Sequence, residues 1–166
     1  MTADLLKRLL WFFLFVLAQV LVLGRIHLFH VATPLFYVYF VALFPRNYPK
    51  WSVLVWSFLL GLAVDIFSNT PGLASSSLTL IAAIQPYLLE AFAPRESAEN
   101  LEPSATALGT SKFGTYIFLL VFLYCIVFYT LEIFSFLNWE QWILCVVGST
   151  AITLLLVATF EYARSK

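Results

Sequence analysis

The chain has 166 residues, of which 62% are hydrophobic and 11% charged, with nine basic side chains against nine acidic ones. A soluble domain carries about 25% charged residues, and 17 Phe, 8 Tyr and 5 Trp are more than one soluble core of this size takes up. The composition indicates an integral membrane protein forming one compact domain over 1–166, and with a net charge of zero nothing suggests nucleic-acid binding.

Six apolar segments follow along the chain, at about 9–24, 31–44, 51–67, 72–93, 113–137 and 141–161. Lys7 and Arg8 precede the first. No small-residue cleavage pattern follows at Val22-Leu23-Gly24-Arg25, so this segment reads as a retained span rather than a signal peptide. The segment 31–44 is short for a bilayer that takes about 20 residues to cross, and it reads as a short span or a re-entrant piece. Pro34 stands near its start, where proline is tolerated.

The basic residues favour six transmembrane helices, the second short, with both termini cytoplasmic. That count puts Lys7, Arg8, Arg46, Lys50, Arg95, Lys112, Arg164 and Lys166 inside and Arg25 alone outside. If 31–44 does not cross, the bias falls to seven against two. In the six-span layout Trp11 and Trp51 mark the inner interface, and Trp139 and Trp142 the outer one. The polar stretch 94–112 is a cytoplasmic connector between spans four and five, read as a solvated linker or as a docking site.

The third segment ends in a carboxylate, and a turn follows: Gly61-x-x-x-Asp65-x-x-x-x-Thr70-x-Gly72. Pro71 has no N–H and Gly72 turns freely, so the helix stops there. An acid at such a depth faces protein or water and often carries function. In this topology Asp65 and Glu132 lie near the outer leaflet with Arg25, His27 and His30, an outer polar cluster in which Arg25 can pair with either acid. The plainer readings are that Asp65 caps the next helix and that Glu132 reaches the interface.

Span four opens Gly72-Leu73-Ala74-Ser75-Ser76-Ser77-Leu78-Thr79 and continues to Ala83, a run of small residues that lets helices approach closely. Ser75, Ser76, Thr79 and Ala83 are therefore candidates for internal packing or for a partner helix. Pro86 after Gln85 removes one helical hydrogen bond. Cys125 and Cys145 sit in apolar runs and read as small hydrophobes. No catalytic motif, metal-ligand spacing or cofactor signature is present.

The turn from Gly61 through Asp65 to Gly72 resembles the signature of the MreD family of bacterial rod-shape-determining membrane proteins. Three further stretches are similar to the same family: Thr33-Pro34 through Val38 to Pro45-Arg46, Gln85-Pro86 through Pro94-Arg95, and Leu131-Glu132 through Phe136. The chain departs at Thr33, where Asn is common, and at Ser75–Ser77. The resemblance covers the whole chain. It implies a non-enzymatic inner-membrane component of the cell-elongation complex that makes peptidoglycan. Such a component binds MreC and associates with the MreB filament, RodA and a penicillin-binding transpeptidase. It also implies a layout like the substrate-binding subunits of energy-coupling-factor transporters. Arg46, Pro94 and Arg95 become candidate cytoplasmic contacts.

The alternative function is a vitamin-like small-molecule binding subunit of a transporter. Those subunits dock through an Ala-x-x-x-Ala-like face in the first span, whereas Trp11 to Ala18 here is bulky with a lone Ala.

Overall fold

A computed structural model of the chain describes residues 2–22, 33–97, 99–134 and 137–166. These form α1 (Thr2–Leu17), extended by a wider π turn at Ala18–Val22, then α2 (Val38–Ala42), α3 (Lys50–Ser68), α4 (Leu73–Phe92), α5 (Ala105–Leu108), α6 (Thr110–Ile133) and α7 (Trp139–Arg164). No strand occurs among the described residues. The fold is all-helical, and α3, α6 and α7 are long and apolar enough to cross a membrane. At 20 residues α4 is of similar length, but Ser75, Ser76, Ser77, Thr79 and Gln85 make it more polar.

The expected segments 51–67, 72–93, 113–137 and 141–161 coincide with α3, α4, α6 and α7 to within a few residues. The first helix starts earlier than its apolar run, at Thr2, so Lys7 and Arg8 are helical. The largest departure is 31–44. Its helix has only five residues. The hydrogen-bonded turns from Leu35 to Phe44 rise about 15–20 Å, roughly half a bilayer.

This segment survives because it lies inside the protein. Leu35 to Ala42 and Phe44 are all buried. Irregular backbone at membrane depth is tolerated only where protein satisfies it. Here side chains do so at both ends. At the start, the Thr33 and Leu35 N–H groups donate to Ser149 Oγ and Thr153 Oγ1, both at 3.1 Å, and Gln19 Nε2 donates to the Pro34 carbonyl at 2.9 Å. At the finish, Tyr116 Oη donates to Ala42 O at 3.2 Å and Gln85 Nε2 to Phe44 O at 3.3 Å. Gln19, Gln85, Tyr116, Ser149 and Thr153 of the long helices thus serve the backbone of the segment 33–44.

The long helices ring this core in the order α1, α3, α4, α6, α7. Neighbours α3 with α4, α4 with α6 and α6 with α7 pack along their lengths. α1 closes the ring through rings: Phe12 on Trp56 of α3 (5.8 Å) and Trp11 on Phe160 of α7 (5.7 Å). Between like-apolar lipid and protein, such close packing and internal hydrogen bonds hold helices together better than hydrophobicity does.

One end of the bundle gathers most of the basic side chains, interspersed with Asp4, Glu90, Glu99 and Glu102. Arg8 lies over the Tyr48 ring (4.0 Å), Lys7 and Arg164 line a cleft with Trp11, and Arg46, Lys50 and Arg95 line another. Most described residues of the connector 94–112 are exposed, but it is tied to this end at several points. Leu101 O accepts from Arg46 N at 3.1 Å, and Pro103 and Leu108 are buried.

Candidate functional site

The α3–α4 junction stands at the opposite end. Asn69 takes a left-handed conformation (φ 57°) and closes α3, its N–H donating to Asp65 O. Gly72 (φ 81°) then starts α4 but has no side chain to cap it. Asp65 supplies the missing cap from one turn back on α3. Its Oδ1 accepts from Ala74 N (2.8 Å) and Thr70 Oγ1 (2.9 Å), and its Oδ2 accepts from Ser75 N (2.9 Å). Asp65 is 4% exposed. Hydrogen bonds to a charged acceptor are roughly twice as strong as neutral ones, and a helix N-terminus adds about 0.3–1 kcal/mol or more.

Gly61 lies one turn before Asp65 on the same face of α3. A Cβ there would sit 2.4 Å from Ser75 Cα and 2.8 Å from Ala74 O. The two helices therefore meet backbone to backbone where Asp65 caps. Gly61, Asp65, Thr70, Pro71 and Gly72 act as one joint, of which Pro71 and Gly72 are exposed. The carboxylate itself faces inward, so its role is to position α4.

The small residues of α4 divide. Ser75 is buried against Gly61, whereas Ser76 and Ala83 are exposed and Thr79 is half-buried. Ser75 and Ala83, eight residues apart, drift by about 80° around the helix, whereas Ser76 and Ala83 differ by about 20°. The outward face thus carries Ser76, Leu80, Ala83 and Tyr87, and Ser75 does not belong to it.

Beside the joint a cleft of about 360 Å³ opens between helices, with Gln19, Thr33, Tyr37, Thr70 and Glu132 in its wall. Glu132 is exposed and Tyr37 is hydrogen-bonded to Tyr124 through their hydroxyls. The rest of the expected outer cluster, Arg25, His27 and His30, lies outside the described residues, as does the expected Arg25 pairing. Glu132 and Asp65 do come to the same end of the bundle.

At the basic end Arg46 joins three pieces of chain. Its guanidinium donates to Ser97 Oγ (3.3 Å) and pairs with Glu90 (3.7 Å), and its N–H reaches Leu101 O. The Pro94 carbonyl accepts from Ser97 N at 3.1 Å, and Arg95 lines the same cleft of about 450 Å³ as Arg46. A residue that sequence reasoning missed is Glu161. It is 7% exposed; its carboxylate accepts from Tyr39 Oη and, at 3.0 Å, from Ala105 N, which fastens the connector to α7 and the central segment. A lone acid near the end of an apolar run was the available signal.

No catalytic constellation appears among the described residues, and no three of their His, Cys, Asp and Glu side chains are gathered as a metal site would need. No family model, curated protein or solved structure matches the chain.

Proposed function

We propose that the protein is a non-enzymatic scaffold of the bacterial cell-elongation machinery. In this reading it crosses the cytoplasmic membrane six times with both termini inside. It binds the membrane-embedded part of MreC and so links the MreB filament to RodA and a penicillin-binding transpeptidase. The ordered resemblance to the MreD family supports the assignment. The path supports six passes, since α1, the segment 33–44, α3, α4, α6 and α7 run alternately between the basic end and the Asp65 end.

The observation that carries the partner reading is the outward face of α4. The exposed side of α1 is Leu6, Leu10, Phe13, Leu17 and Leu21, and that of α3 is Trp51, Val55, Phe58, Leu62 and Ile66. These bulky faces suit lipid. The outward face of α4 instead sets small Ser76 and Ala83, beside half-buried Thr79, between the bulky Leu80 and Tyr87, and small residues are where helices approach closely in membranes. The bulky face of α1 also disfavours the transporter reading, which needs small residues there.

Co-purification with MreC tests the proposal. Ser76→Leu and Ala83→Phe change exposed positions, so the protein level should hold while MreC recovery falls. Undiminished MreC recovery at a normal level would defeat the reading. An equal drop in level would make the face an internal packing surface.

A further inference from the structure

Arg46 is the fixed point of the cleft that it shares with Lys50 and Arg95. Its N–H is tied to Leu101 O and its guanidinium to Ser97 Oγ, yet the side chain stays 30% exposed. Its pairing with Glu90 is loose: 3.7 Å is longer than a hydrogen bond, and the Glu90 side chain is 66% exposed. A guanidinium has five N–H donors, so most of this fork is open to a ligand. Lys50 lies over the exposed Tyr87 ring at 4.5 Å, with Nζ at the limit of hydrogen bonding to the Tyr87 hydroxyl, 3.5 Å away. No acid pairs with it there. The exposed Arg95 guanidinium makes no ion pair or hydrogen bond with the described residues.

The wall also carries Glu90 and Glu99, so three basic groups stand against two acids, with an excess of hydrogen-bond donors. Ala98, the one residue of 94–112 outside the described set, has no charge to alter this balance. α3 adds to it: the helix begins at Lys50 with no side-chain cap on its N-terminus, whose dipole favours an anion. The volume of about 450 Å³ is that of a small-ligand site. An ammonium ligand would meet like charge and donors. A phosphate monoester instead offers three acceptor oxygens to two guanidinium forks and an ammonium. We propose that this cleft binds a terminal phosphate group, carried either on a lipid head, as in phosphatidic acid, or on a small soluble phosphomonoester. The exposed Trp51 next to Lys50 is a residue of the kind that sits at headgroup level, where both sources reach the cleft. This site is independent of the scaffold reading and of the α4 face.

The full chain, purified in detergent, is titrated with phosphatidic acid, phosphatidylglycerol and phosphatidylcholine of matched acyl chains, with binding read by native mass spectrometry. Affinity should fall in that order, by about tenfold from first to last, and the difference should shrink as ionic strength rises. Lys50→Gln with Arg95→Gln changes two exposed positions and should erase most of the preference while the protein stays folded. Glu99→Gln removes a like charge from the wall and should tighten phosphatidic acid by about twofold to threefold. Lys7→Gln with Lys112→Gln removes the same charge from exposed positions outside the cleft and should leave the preference intact. Displacement by glycerol phosphate would assign the site to a soluble phosphomonoester, and its failure would assign it to the lipid; either upholds the phosphate chemistry. Equal affinity for the three lipids in the unaltered chain would overturn the proposal. So would an unchanged preference in the Lys50 and Arg95 double variant, an equal loss in the Lys7 and Lys112 double variant, or weaker binding in Glu99→Gln.

Discussion

Gly61 and Ser75 are in backbone contact: the Ser75 Cα lies 2.4 Å from the place a Cβ on residue 61 would occupy. Backbone cannot give way as a flexible side chain does. Gly61→Ala should therefore push α4 off α3 and lower the thermal midpoint in detergent by several degrees, with Gly61→Leu failing to accumulate. Gly114→Ala provides the contrast, because a Cβ there meets nothing within 4 Å. It should be neutral or stabilising by up to about 1 kcal/mol.

Asp65 uses both oxygens on backbone N–H groups. Asn caps an ordinary helix about as well as Asp, but here its NH2 would confront one of the two N–H donors. Asp65→Asn should therefore be nearly as damaging as Asp65→Ala, each costing about 2–4 kcal/mol for the buried donors left unpaired. Thermal unfolding of both variants, compared with the unaltered chain, provides the check; an Asn variant of undiminished stability would contradict the bidentate cap.

Gln85 and Tyr116 seal the end of α2. Their contact at 3.0 Å and their bonds to Phe44 O and Ala42 O make one network. Gln85→Leu should cost about 1–3 kcal/mol through the stranded carbonyl. Tyr116→Phe added to it should cost less than the sum of the two single changes, because the residues share partners. Unfolding midpoints of the four proteins measure this coupling.

Glu161 holds the connector. Glu161→Gln keeps its size but offers one acceptor for two donors, and Glu161→Ala offers none. Limited proteolysis on the basic side should cut between Arg95 and Lys112 faster in Gln than in the unaltered chain, and fastest in Ala. Equal rates would show that Arg46, through Ser97 and Leu101, holds the connector without Glu161.

Much of this organisation was legible in the sequence. Asp65 stood out as an acid at the end of an apolar helix, and the break at Thr70-Pro71-Gly72 was plain from residue chemistry. The cap itself was one of two readings, and the structure supplied the donors. Ser75 and Ser76 look alike in sequence, but a rotation of about 100° puts one on Gly61 and the other outside. The roles of Gln19, Ser149, Thr153 and Gln85 were not readable locally. Each serves a carbonyl or N–H of the segment 33–44, far away along the chain. Its hydropathy shows that it is apolar, not that the ring of helices encloses it. The connector 94–112 is mostly exposed, as its polar composition suggests, but its anchors at Glu161, Arg46 and Leu101 are long-range bonds that composition does not show.

Photocrosslinking along α4 tests the central claim, that the outward face of this helix receives MreC. A photoreactive residue is placed in turn at Ser76, Leu80, Ala83 and Tyr87, at the inward positions Leu78 and Ile81, and at Leu10 of α1 and Val55 of α3 in cells containing MreC. The account predicts MreC adducts at the first four positions and few at the others. Adducts from Leu10 or Val55 with none from α4 would contradict it.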